Sequence, residues 1–136
     1  MNDTQKRYLA NKGRKIKDSI ADENINIIVV NGGAGSGKTT LLRYIRDTAV
    51  FPNIKVIKHE NEILDTIKIS LTDEENTLYL IDEYPNTHID NLPSELKSMR
   101  KFKNKVVIFS QPNTIMLEDI EGLDNIFINI SRDLKE

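Results

Sequence analysis

The sequence predicts an α/β fold, a three-layer sandwich in which a five-stranded parallel sheet carries helices on both faces. Three observations carry that prediction. Short runs rich in Ile, Val and Leu recur at Ile27–Val30, Ile54–Ile57, Thr77–Asp82, Val106–Phe109 and Asn125–Ile130. Segments with apolar residues at helical spacing lie between them, the alternation expected of strand-helix-strand units. The first run ends in a glycine-rich stretch that opens a helix, Asn31-Gly32-Gly33-Ala34-Gly35-Ser36-Gly37-Lys38-Thr39-Thr40.

Ahead of the first strand, from about Thr4 to Ala21, the residues Tyr8, Leu9, Lys12, Ile16 and Ile20 give a helical stripe that Gly13 interrupts. Lys6, Arg7, Lys12, Arg14, Lys15 and Lys17 make the segment basic. One reading is a solvated helix packed beside the core. The other is a contact to nucleic-acid phosphate, where clustered Lys and Arg gain from counterion release. The organisation expected is a basic helical segment over 1–22 and the core over 23–136.

The glycine-rich stretch has the spacing G-x-x-x-x-G-K-[ST] from Gly32 to Thr39, a phosphate-binding P-loop, and it sits between a strand and a helix as that motif requires. Gly32, Gly33, Gly35 and Gly37 allow successive backbone N–H groups to turn inward around a β-phosphate, with Ala34 and Ser36 completing the turn. The N-terminus of the next helix faces the same anion, and the Lys38 ammonium reaches the β- and γ-phosphates. The Thr39 hydroxyl is left for a magnesium ion, and Thr40 lies at the α-phosphate. Leu41, Leu42 and Ile45 form the buried stripe of that helix.

Phe51-Pro52-Asn53 makes a turn into the second strand. Ile63, Leu64, Ile67 and Leu71 then predict a helix over 61–71. The third strand closes on two carboxylates, Asp82 and Glu83. Carboxyl ends of parallel strands face the ligand crevice. Asp82 is therefore placed to hold the metal and Glu83 to orient and polarise an attacking water. Ser94 is read as the cap of a helix carrying Leu96, Met99 and Phe102 inward, with Lys97, Arg100, Lys101, Lys103 and Lys105 making its other side basic. The fourth strand runs into Ser110-Gln111-Pro112, where Gln111 can touch both a γ-phosphate and the water; its plain alternative is a turn residue ahead of Pro112. Ile115, Met116, Leu117 and Ile120 suggest a short helix before the fifth strand.

Composition limits the alternatives. With 136 residues and 38% hydrophobic content, one domain is expected, burying roughly two thirds of its unfolded surface. The net charge of −2 conceals a basic first twenty residues and an acidic middle, where Lys68 is the only Lys or Arg between Glu60 and Glu95. The chain has no cysteine, which excludes disulfides, thiolate metal sites and a cysteine nucleophile. No membrane segment or signal-like run is read from the sequence, so a cytoplasmic protein is expected, including a viral or plasmid protein in a host cytoplasm. The lengths leave no room for a lid or a second domain.

With the P-loop on the first strand, Asp82-Glu83 closing the third and Gln111 ending the fourth, the chain resembles the additional-strand, catalytic-glutamate class of P-loop ATPases from Ile25 to Ile130. Within that class, Ile81-Asp82-Glu83, then Arg100-Lys101, then Val107-Ile108-Phe109-Ser110-Gln111-Pro112 are similar to FtsK/HerA-type DNA pumps, Zot-like phage proteins and viral genome-packaging ATPases. The resemblance implies strand order 5-1-4-3-2, ATP and Mg2+ as cofactors, a homo-oligomeric ring, and ATP hydrolysis at subunit interfaces coupled to moving DNA. It also implies an arginine supplied by the neighbouring subunit, for which Arg100 and Arg132 are the candidates. Three other functions compete. A superfamily 3 or AAA-type replication helicase or loader also uses a polar residue on the fourth strand. A small-molecule kinase needs an arginine-bearing lid, for which the connection after Gln111 is short. A slow nucleotide switch is the last, and the lack of an N-K-x-D-like element after the third strand favours adenine over guanine.

Overall fold

The computed structural model describes residues 2–57, 69–84, 91–112, 120, 122–131 and 133, with the backbone alone at 83 and 84. The first helix, α1, spans Asp3–Ala21. Its start is fixed by a capping box in which Gln5 N–H donates to Asn2 Oδ1 at 2.8 Å and Asn2 N–H donates to Gln5 Oε1 at 2.9 Å. Gly13 does not interrupt the helix. It is buried where a side chain would strike α2: a Cβ there would lie 2.6 Å from Tyr44 Cε2. The glycine serves a close helix-helix approach rather than a break.

The remaining elements are β1 (Ile27–Asn31), α2 (Lys38–Thr48), β2 (Asn53–Ile57), β3 (Thr77–Tyr84), α3 (Leu92–Ser98), a 3-10 turn over Met99–Phe102, β4 (Lys105–Ser110) and β5 (Asn125–Asn129). The five strands form one parallel sheet in the order β2-β3-β4-β1-β5, which read from the other edge is 5-1-4-3-2. β4 is buried along its whole length and β1 at Ile27–Val30, which is why the central strands read as continuous apolar runs.

Strand parity divides the core. Ile28, Val30, Leu78, Leu80, Val107, Phe109 and Ile128 face the side covered by Leu9, Ile16 and Ile20 of α1 and Leu41, Leu42 and Ile45 of α2. Ile27, Val29, Tyr79, Ile81, Val106 and Ile108 face the opposite side, with Leu71 and with Leu92, Leu96 and Met99 of α3 and its continuation. Helices thus cover both faces, as the sequence predicts.

Two local expectations change, and a third falls almost wholly outside the described residues. The helix read over 61–71 lies outside the described residues up to Lys68. Beyond it, residues 69–71 are not helical: Leu71 N–H donates to Glu95 Oε2 at 2.7 Å, and its carbonyl accepts from Asn104 Nδ2 at 2.6 Å. Side chains thus take the backbone groups that a helix would pair internally. The helix assigned to a Ser94 cap begins earlier, with Asn91 at the cap position and Pro93 in the first turn, where its missing N–H costs no hydrogen bond. The short helix near 115 lies outside the described residues except for Ile120, which is buried.

One buried cation ties α1 to the sheet. Lys105, at the start of β4, donates from Nζ to Ile20 O at 2.6 Å and Asp22 O at 2.5 Å. A cation at a helix C-terminus meets the negative end of the helix dipole and carbonyls that the helix leaves unpaired.

Candidate phosphate and metal site

The loop from Gly32 to Gly37 joins the carboxyl end of β1 to the first turn of α2. Gly37, at the cap of α2, has φ 102° and Gly35 has φ 74°, a left-handed conformation that side-chain-bearing residues reach at a cost of about 1–2 kcal/mol. Gly32 is needed for a different reason. A Cβ there would meet Ser36 Oγ and come within 2.6 Å of Ile130 Cγ1. Gly33 has open space around it and no positive φ, so conformation does not demand glycine there.

Lys38 is the first residue of α2 and is buried. Its ammonium hydrogen-bonds to Gly32 O and, at 3.4 Å, to Gly33 O, holding it over the mouth of the loop. The first turn of α2 contains no acidic residue, so the dipole and the lysine together present positive potential. Thr39 and Thr40 are exposed in the same turn, while Ser36 is buried beneath the loop. Left-handed glycines at 35 and 37, a cationic Lys38 and a bare helix N-terminus fit a polyphosphate.

Asp82 and Glu83 lie near the end of β3. Parity places Asp82 on the face of Leu78 and Leu80, the face covered by α2. Its side chain is half-buried and its Oδ1 is fully enclosed. Between the pairs Ile81↔Ile108 and Tyr84↔Ser110 the register shifts. Asp82 and Glu83 therefore stand opposite the single residue Phe109. Such a bulge re-aims side chains and bends the strand locally. Only β4 separates this bulge from β1, so the two strand backbones lie about 10 Å apart across the sheet.

The end of β4 is joined to the loop directly. Gly32 N–H donates to Ser110 O at 3.0 Å, and the buried Ser110 hydroxyl donates to Asn31 Oδ1 at 2.8 Å. Gln111, one residue on, is exposed. Asn31 and Ser110 are the polar residues that sequence reasoning passed over. The signal available was small: each is the polar residue that ends an otherwise apolar strand. Arg100 lies at the other end of the sheet, exposed and paired with Asp124 at 2.7 Å. Within one chain it is far from the loop. Arg132 and the Glu83 side chain lie outside the described residues.

A five-stranded parallel sheet with this loop after its first strand defines a P-loop nucleoside-triphosphatase fold. The family of viral superfamily 1 RNA helicase core domains matches residues 28–100, from β1 through the P-loop and Asp82-Glu83 to Arg100. That is more than half of the chain, and the chain belongs to this family. The match lends no support to the narrower resemblance to FtsK/HerA-type pumps and packaging motors, and the helicase kinship lies in superfamily 1 rather than superfamily 3. No curated protein and no solved structure matches the chain. Among the described residues no helix is long and apolar enough to cross a membrane.

Proposed function

We propose that the chain is the ATP-hydrolysing core of a helicase-type motor that acts on RNA. The observation that supports it most is the bulge that sets Asp82 and Glu83 against Phe109, one strand away from the P-loop. RNA is preferred to DNA because the matched family is one of RNA helicase cores.

In this reading the amides of Gly33 to Lys38 and the Lys38 ammonium hold the β- and γ-phosphates. The Thr39 hydroxyl and the Asp82 carboxylate would hold Mg2+, which when bound offsets phosphate charge. Glu83 takes up the proton of the attacking water. Gln111 reaches that water from β4, and the Ser110–Asn31 hydrogen bond keeps the two strand ends in register beneath it. In a ring of identical copies, Arg100 or Arg132 of a neighbour would add charge at the γ-phosphate; Arg100 must first leave Asp124.

The test is ATP turnover by the purified chain with and without single-stranded RNA, together with displacement of a strand from a tailed RNA duplex. Turnover that RNA stimulates supports the proposal. Phosphorylation of a nucleoside or nucleotide in place of phosphate release would replace it with a kinase.

A further inference from the structure

Asn31 and Gly32 are the only Asn-Gly pair in the chain, and they stand where β1 gives way to the phosphate loop. Such a pair is prone to modify itself. The glycine nitrogen has no neighbouring side chain to bar it from the amide carbon of the asparagine before it. Asn31 is half-buried at the end of its strand, and Gly32 is buried.

One residue of β4 holds both reacting groups. The Ser110 hydroxyl donates to Asn31 Oδ1 at 2.8 Å, and the Ser110 carbonyl accepts the Gly32 N–H at 3.0 Å. The first bond keeps the side-chain amide turned toward β4. The second keeps the proton on the nitrogen that would attack. Reaction needs the nitrogen and the amide carbon aligned at about 3–3.5 Å, so both bonds to Ser110 must open first.

We infer that Asn31 is a self-modification site, a succinimide-forming asparagine that Ser110 guards and whose conversion disables the phosphate loop. In the step, Gly32 N gives up its proton to solvent and attacks Asn31 Cγ. The Cγ–Nδ2 bond breaks, and the amide nitrogen leaves as ammonia after taking a proton from solvent. The product is a cyclic imide between Cγ and Gly32 N, which water then opens. Addition of water at Cγ restores the main chain and leaves an aspartate at position 31. Addition at the main-chain carbonyl carbon leaves an isoaspartate, in which the chain to Gly32 runs through Cβ and Cγ. The balance is one water in and one ammonia out, with no oxidant and no enzyme.

Either product harms the loop for a reason visible in the packing. The isoaspartate adds one main-chain atom just ahead of Gly32, where there is no slack: even a Cβ on Gly32 would meet Ser36 Oγ and come within 2.6 Å of Ile130 Cγ1. Ile130 is itself fastened, its N–H donating to Asn31 O at 2.8 Å. The loop must therefore move, and with it the Gly32 carbonyl that holds the Lys38 ammonium. The aspartate keeps the chain length but sets a negative charge at the foot of a loop suited to polyphosphate, and like charges repel. Bound nucleotide acts in the opposite sense. Because it fastens the loop amides, it favours the closed arrangement and slows conversion as saturation rises. An idle copy thus ages at this bond, while a nucleotide-bound copy is spared. That protection rests on the nucleotide reading above; the modification itself does not.

The test is peptide mapping by mass spectrometry, with isoaspartate scored by enzymatic methylation. The purified chain is incubated at neutral pH with and without a non-hydrolysable ATP analogue. Position 31 should be the main site of conversion and give both products. Ser110→Ala should convert about fivefold faster, the rate equivalent of one hydrogen bond. Lys105→Met is weakened at the opposite end of the same strand and should stay within about twofold of the parent, which separates loss of the guard from general loosening. The analogue at about 100 times its Kd should slow the parent about tenfold or more. Converted protein, separated by its added negative charge, should bind the analogue about tenfold or more weakly than the parent. Conversion at Asn31 no faster than at the other asparagines would overturn the site, and equal rates in the Ser110→Ala and Lys105→Met variants would overturn the guard. Converted protein that binds the analogue as the parent does would overturn the effect on the loop. A parent that converts at Asn31 but binds no analogue would strike the nucleotide reading and leave the modification standing.

Discussion

Ser110 donates its hydroxyl hydrogen to Asn31 Oδ1 at 2.8 Å, joining the carboxyl ends of β4 and β1 directly beneath the phosphate loop. The Ser110 carbonyl also accepts the Gly32 N–H at 3.0 Å, so one residue fixes both the strand end and the start of the loop. Ser110→Ala removes only the side-chain bond. It should cost about 1 kcal/mol in urea unfolding and lower ATP turnover more than ATP affinity, because the loop keeps its backbone tie.

The glycines of the loop should respond unequally. Gly37→Ala forces a side chain into φ 102° and against Leu9, costing about 1–2 kcal/mol from the backbone alone and weakening nucleotide binding. Gly33→Ala enters open space without a positive φ. Thermal unfolding and a fluorescent ATP analogue should show Gly33→Ala within experimental reach of the parent and Gly37→Ala clearly below it.

Asn104 is fully buried, accepts Thr77 N–H at 2.8 Å, and donates to Leu71 O at 2.6 Å and Glu74 O at 2.7 Å. It thereby holds the backbone that leads into the strand bearing Asp82. Asn104→Ala leaves buried backbone groups without these bonds and should destabilise the fold by about 3 kcal/mol, read as a drop in the urea midpoint with the slope unchanged.

Burial lowers the pKa of the Lys105 ammonium from its ordinary value, against smaller opposing effects of Asp22 and Glu23. Between the folded value and the ordinary one, the unfolded chain binds more protons than the folded chain. Stability from this group therefore rises with pH through that window, and the cost is carried in full below it. Lys105→Met abolishes the titration and removes the ammonium bonds to Ile20 O and Asp22 O, the latter keeping the Ile25 N–H as a donor at 3.1 Å, at about 1–3 kcal/mol. Urea unfolding of parent and variant across alkaline pH should show the gap between them widening as pH rises.

Much of the fold is legible in the sequence because its signals are local. The P-loop is one contiguous stretch, the central strands are unbroken apolar runs at Ile27–Val30 and Val106–Phe109, and the spacing of Leu41, Leu42 and Ile45 marks the face of α2. What escapes notice depends on partners distant in the chain. Asn31 and Ser110 meet only because β1 and β4 pair in parallel, 79 positions apart. Gly13 reads as a helix break until Tyr44 of α2 is seen against it. Asn91 leaves the capping role unfilled by its side chain because its amide is engaged with Ile69 N–H and C=O. The bulge at Asp82-Glu83 is likewise set by pairing with β4, which no periodicity within β3 reveals.

Glu83→Gln tests the assigned chemistry most directly, because it preserves shape and hydrogen bonding while removing the base. ATP affinity and ATP turnover should be measured on the same preparation. The expected result is affinity close to the parent with turnover reduced about 10²- to 10⁴-fold, the range typical of general base catalysis. Turnover equal to the parent's would contradict the assignment of Glu83 as the group that activates water.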